Sequence, residues 1–245
     1  IRAVNAFNDL NEIFMKCMEM ILKLSPIGVF CLLCPVIAAN GPTIIGSLAM
    51  VLLAAYICYI VHMLVVYSLI VKTMGGLSPA KFLKGMLPAI MFAFSSASSV
   101  GTLPINLECT EKLGAKREVA SFVLPLGMTI NMNGTAIMQV IAAIFIAASS
   151  GYTLTIQNII LIAVLSLIAS IGTPSAPGSS SIILFTVLTG MGFNNEATLI
   201  AYSLIIAINR PIDMLITCLN VIGDSATAVV VANSEGCLNK EIYNC

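Results

Sequence analysis

The sequence predicts an all-α polytopic membrane protein, with transmembrane helices plus two re-entrant helical hairpins arranged as an inverted repeat. Three observations lead there: composition, the length of the apolar runs, and two apolar stretches interrupted at their centres. Of 245 residues, 59% are hydrophobic and 9% charged, and the mean hydropathy is +1.03. Soluble domains carry about 25% charged residues, because a water-facing surface needs them. So little charge cannot clothe a globule in water, and the outer surface must meet lipid. With 11 basic and 11 acidic residues the net charge is zero, which excludes a nucleic-acid partner read by charge.

Four long apolar runs lie along the chain. Spans near 24–39, 44–71, 119–149 and 197–232 reach, or nearly reach, the ~20 residues that cross a hydrocarbon core as helix. Helix is imposed there, since lipid offers no partner to a backbone group left open. The runs show no period of two, so a barrel is excluded. Residues 85–107 and 157–193 differ: each has two apolar arms around a Ser-, Gly- and Pro-rich centre. No arm spans alone, and irregular backbone at membrane depth is tolerated only against protein or a water-filled cavity. Each is therefore expected to be a re-entrant hairpin.

Charge orients the chain. Arg2, Lys16, Lys23, Lys72, Lys81, Lys84, Lys112, Lys116, Arg117 and Lys240 all fall on one side under this topology. The connections near 40–43, 150–157 and 190–198 contain no Lys or Arg. The basic side is the cytoplasmic one, which also places the C-terminus in the cytoplasm of a multi-pass protein of the cell (plasma or inner) membrane. Residues 1–71 are expected to form scaffold and the first transport helices, truncated at the N-terminus. Residues 72–245 are expected to form a core of hairpin 84–108, helix 117–149, hairpin 155–193 and helix 196–233.

Two further patterns point to ligands. Asn131-Met-Asn-Gly134-Thr135 follows the first hairpin and Asn220-Val-Ile-Gly223-Asp224 the second, both fitting N-x-x-G-[TD]. Paired interrupted segments in corresponding halves mark a midplane binding site, where freed carbonyls can hold a cation and helix N-termini an anion. Close packing by small residues accounts for an isolated Gly46 or Gly127. It does not account for Asp213 and Asp224 in one apolar span, each costing at least ~2.5 kcal/mol to insert. Arg210 is expected to pair with Asp213. His62, in an apolar run, reads as a helix-packing residue. The scattered cysteines, Cys31-Leu-Leu-Cys34 included, complete no zinc set. No nucleophile–base constellation or phosphate loop is present, so an enzyme is not expected.

Ser98-Ser99-Val-Gly101-Thr102-Leu103-Pro104, the Asn131–Thr135 motif, Gly172-Thr173-Pro-Ser-Ala-Pro177-Gly178 and Asp213-Met-x-x-Thr217-x-x-Asn220-Val-x-Gly223-Asp224 resemble, in order, the dicarboxylate/amino acid:cation symporters, the glutamate transporter family. The resemblance covers nearly all of the chain and matches the family's later helices and hairpins, without its first four. It implies a secondary active transporter, a homotrimer whose transport domains move like elevators, carrying an amino acid or dicarboxylate with Na+ and, as the alternative, H+. It implies that Ser98, Ser99 and Asn220 hold the substrate carboxylate, Asp213 and Thr217 its ammonium, and that Thr135 faces its side chain. One sodium would take carbonyls of Gly127, Asn131 and Asn220 with the Asp224 carboxylate. A second would take Thr129 with backbone oxygens of Ser170, Ile171 and Thr173. Oxygen-only shells suit a hard cation.

Departures from the family pattern matter. The arginine that reads an acidic side chain falls at Ile216, its alternative at Ala97, and an acidic residue of the first motif is Asn133. A small neutral amino acid is therefore favoured as substrate over an acidic amino acid or dicarboxylate. An anion-conducting channel is the alternative of another class.

Overall fold

The computed structural model describes residues 43–175 and 178–244, together with isolated positions between 13 and 38. Most of the expected N-terminal segment, and Ala176 and Pro177, lie outside the described residues. All regular structure in the described part is helical, apart from one isolated bridge between Ala115 and Leu238.

The first span is α1 (Thr43–Val61), a π-helical turn (His62–Tyr67) and α2 (Ser68–Thr73) in unbroken succession. Next come α3 (Pro79–Ser96) and α4 (Ser99–Lys112), then α5 (Arg117–Ile130) and α6 (Asn133–Ser149). The second half repeats the order: α7 (Ile156–Ile171) and α8 (Ser179–Gly190), then α9 (Glu196–Ala207) and α10 (Asn209–Ser234), before a short α11 (Lys240–Asn244). In each half, a packed pair of antiparallel helices precedes two helices joined end to end.

The first hairpin is longer than the composition suggested. Pro79 at the start of α3, which lacks an N–H that would go unpaired there anyway, opens the helix five residues before 84. Its Ser/Gly centre is also mostly helical, because Ser98 Oγ accepts the Gly101 N–H at 3.2 Å and caps α4. Only Ala97 and Ser98 are left between the arms, Ala97 in the left-handed region at φ 50. The expected helix 196–233 is two helices, α9 and α10, joined at Ile208.

Among the described residues three spans are long and apolar enough to cross a membrane: Gly46–Thr73, Arg117–Ser149 and Asn209–Ser234. Their surroundings differ. Only 17% of the most apolar stretch of the first is buried against 72% for the last. Leu53, Ile57, Leu64 and Leu69 of the first are exposed, the surface of a helix that faces lipid or other helices. α10 is the central post, touching α3, α4, α5, α6 and the first span.

Polar bonds pin the first hairpin to this post. Thr110 Oγ1 donates to Ser225 Oγ at 3.1 Å, Ser225 Oγ donates to Asn106 Oδ1 at 2.5 Å, and Asn106 Nδ2 donates to the Val221 carbonyl at 3.4 Å. The tail straps one end of the core. Asn239 N–H donates to Gly114 O at 2.8 Å and Tyr243 Oη to Ser78 O at 2.8 Å, and burial pushes the Tyr243 phenol up to about 12.

Candidate functional site

Both hairpin tips, the start of α6 and the middle of α10 meet at one partly open pocket with a cavity volume of about 30 Å³. α10 supplies Asp213, Ile216, Thr217 and Asn220. The 3.6-residue period sets these side chains, three to four apart, on one face. Ser99 comes from the first turn of α4, Thr135 from that of α6, and Ser179 and Ser180 from that of α8. Three helices thus begin at the pocket, and N-terminal N–H groups favour a carboxylate there. Thr173 and Ser175 close it from the second tip.

Asp213, 6% exposed, accepts three hydrogen bonds: Ser180 Oγ at 2.7 Å, the Gly178 N–H at 3.0 Å and Asn209 Nδ2 at 2.7 Å. Two of these come from the second hairpin, so this carboxylate ties the tip to α10. The expected Arg210–Asp213 pair is not formed. Among the described residues Arg210 makes no ion pair, and its Nη1 is buried without a hydrogen-bond partner. One turn back, Asn209 reaches Asp213 instead, since i,i+4 residues share a helix face. Arg210 does not line the pocket; Ile216 and Ala97 do.

Below the pocket lies a second polar centre. Asp224, 2% exposed, accepts one hydrogen bond among the described residues, from Asn131 Nδ2 at 2.9 Å. The same Nδ2 donates to the Asn220 carbonyl at 3.1 Å. Gly127 comes so close that a Cβ there would stand 2.6 Å from Asp224 Oδ1. A buried carboxylate with one neutral hydrogen bond is undercompensated, and the surrounding oxygens fit a hard cation in kind.

The residues named from sequence divide accordingly. Ser99, Thr135, Asp213, Thr217 and Asn220 gather at the pocket, whereas the Ser98 hydroxyl is committed to its helix cap. Gly127, Asn131, Asn220 and Asp224 gather at the lower centre. The other set is looser. Thr173 lines the pocket and Ser170 is buried, but Ile171 is 56% exposed and Thr129 is exposed with its hydroxyl on Leu126 O at 2.8 Å. Their neighbourhood is bridged by Ser175 Oγ, which donates to Met128 O at 2.6 Å.

Sequence reasoning missed Asn209, Ser180 and Tyr67. Asn209 carried a signal, its i−4 spacing from Asp213; Tyr67, on a distant helix, carried none. Its phenol oxygen accepts a hydrogen bond from Asn133 Nδ2 at 3.2 Å. Asn133, which stands where the family pattern has an acidic residue, is thereby part of a neutral pair. His62 packs edge-on against Tyr67, ring centroids 5.0 Å apart.

Long apolar spans around buried carboxylates and converging hairpin tips define an integral, multi-pass membrane protein with a polar site at its centre. The chain belongs to the sodium:dicarboxylate symporter family, whose model matches residues 2–234. It is 37% identical over 231 residues to excitatory amino acid transporter 2 of Homo sapiens, covering 93% of this chain and 40% of that protein. It is 31% identical over 233 residues to the proton/sodium-glutamate symport protein of Bacillus subtilis (strain 168), covering 95% and 53%. The excitatory amino acid transporter of Caenorhabditis elegans is 34% identical over 231 residues, covering 93% and 45%. The chain spans about two fifths to a half of the length of these relatives, which are transporters and not enzymes.

Proposed function

We propose that the chain forms the transport core of a sodium-coupled symporter for a small, neutral amino acid. The observation that carries this reading is the pocket lining: Asp213 is present for an ammonium group, while Ile216 and Ala97 stand where a guanidinium would read a second carboxylate. A buried charge without a partner costs several kcal/mol, and Arg210 does not line the pocket to supply one. In this reading Ser99 and Asn220 hold the substrate carboxylate, Asp213 and Thr217 its ammonium, and Thr135 faces its side chain. Cotransported sodium sits at Asp224 with Gly127, Asn131 and Asn220, and a second at Thr129, Ser170, Ile171 and Thr173. The two hairpins re-enter the membrane from opposite faces, the C-terminus is cytoplasmic, and the core moves as an elevator within a homotrimer. Residues 72–245 form the moving core, and residues 1–71 hold scaffold and the first transport helices, of which the span from α1 to α2 packs on α10 and moves with it.

The names of the relatives favour a second reading, an acidic amino acid carried with protons or sodium. Competition decides between the two. Serine, alanine, cystine, aspartate and succinate are tested against uptake by the protein in proteoliposomes, and again after Ile216→Arg. Serine or alanine should compete best, and Ile216→Arg should shift preference towards aspartate. Best competition by aspartate in the unchanged protein, lost on Arg210→Ala, would replace the neutral reading with the acidic one.

A further inference from the structure

The lower centre has a feature that ligand assignments do not explain. Asn131 Nδ2 donates to Asn220 O and to Asp224 Oδ1, two of the oxygens that the proposed function gives to sodium. Each oxygen keeps another lone pair, but an N–H aimed at both opposes a cation placed between them, so sodium binding favours turning this N–H elsewhere. Elsewhere is confined, because the surroundings are buried. A Cβ on Gly223 would stand 2.5 Å from Tyr67 Oη and closer still to Asn131 Nδ2. Phenol and amide therefore meet over the bare Cα of Gly223. Tyr67 is 3% exposed, and its oxygen already accepts from Asn133. Its remaining lone-pair density is the acceptor within reach.

Local backbone explains why this phenol arrives there. His62–Tyr67 is a π-helical turn inside an otherwise α-helical span. The wider turn advances the register of the residues after it, and such turns concentrate at functional positions. It brings Tyr67 against α10, which the turn contacts directly.

We propose that Tyr67 is a positioning residue of the sodium site, receiving the Asn131 N–H when sodium takes Asp224 and Asn220. The proposal rests on the assignment of sodium to Asp224. Without an acceptor the bound state carries an unpaired buried N–H, which lowers sodium affinity about tenfold. Substrate affinity at saturating sodium stays unchanged, since Tyr67 does not line the substrate pocket.

The test uses the protein in detergent and in proteoliposomes. Sodium half-saturation is read both by the sodium-dependent rise in unfolding temperature and by uptake. Tyr67→Phe should raise it about tenfold, Tyr67→Gln, which keeps an acceptor oxygen, should restore most of it, and Asn131→Asp, which removes the N–H, should abolish the effect of Tyr67→Phe. Unchanged sodium half-saturation in Tyr67→Phe, or an equal loss in the Asn131→Asp background, overturns the proposal. If Tyr67→Phe does not fold, Tyr67→Gln and Tyr67→Met are compared, and equal sodium affinities overturn it. Asp224→Asn is the separate control: normal sodium dependence there removes the underlying assignment, whereas a shift there with none in Tyr67→Phe removes Tyr67 alone.

Discussion

The two N-x-x-G-[TD] motifs match in pattern and differ in backbone. At Asn131–Thr135 the helix breaks: Asn131 and Met132 lie between α5 and α6, with Asn131 at φ −85, ψ 76. At Asn220–Asp224 the helix runs straight through, inside the 26 residues of α10. The difference comes from what the side chains do. Asn131 turns its amide across to α10, onto Asn220 O and Asp224. Asn220 reaches back, its Oδ1 accepting the Gly134 N–H at 2.9 Å at the start of α6. That carbonyl oxygen satisfies a helix-start N–H that would otherwise lack a partner. One motif gives its backbone and is capped by the other, which keeps its helix and gives side chains. A shared pattern therefore does not mean a shared conformation; each helix is stable in the form the other permits.

This comparison can be broken most sharply at Asp224. Asp224→Asn should raise the sodium half-saturation for substrate binding by ~100-fold or more, since an amide offers a cation a dipole where a carboxylate offers charge. Isothermal titration of substrate at graded sodium measures it, and unchanged dependence in a folded variant removes Asp224 from the site.

The contact between the motifs is tested next by Gly134→Ala. A Cβ there would stand 2.9 Å from the Ile216 carbonyl and 3.2 Å from Asn220 Oδ1. The motifs would be forced apart, with a cost of about 1–3 kcal/mol and a loss of both sodium and substrate affinity. A variant that binds both normally would show that the interlock is dispensable.

A smaller effect is expected where the second tip reaches α5. Ser175→Cys should lose reactivity to a water-soluble thiol reagent several-fold when sodium and substrate are present, because lids order over what they hold. Equal labelling with and without ligand counts against closure at that tip. Smallest is Gly46→Ala on the first span, where a Cβ would meet nothing within 4 Å. Helix propensity alone predicts a gain of about 0.5–1 kcal/mol, with sodium and substrate affinity untouched. A change in sodium affinity there would show that the site is sensitive to the whole bundle.

Legibility varied with how local each feature is. Asp213, Thr217 and Asn220 could be set on one helix face because helical spacing is a property of neighbours in sequence. The Asp213–Arg210 pairing was wrong for the same reason it was attractive. Adjacency at i,i+3 permits contact, but Asn209 and the second hairpin hold that carboxylate instead. The Ser-rich first centre read as irregular, yet Ser98 caps α4 and makes helix of it.

By itself the sequence determined that this chain is an all-helical membrane protein and that one apolar span carries two carboxylates, Asp213 and Asp224. Those conclusions come from solvation: apolar length, scarce charge and the cost of burying Asp213 and Asp224 are written in the residues. Only the tertiary structure decided which motif unwinds, that Tyr67 stands over Gly223, and that Arg210 stays out of the pocket. Those depend on contacts between residues up to about a hundred and fifty positions apart, where close approach and hydrogen-bond partners are set by how helices pack.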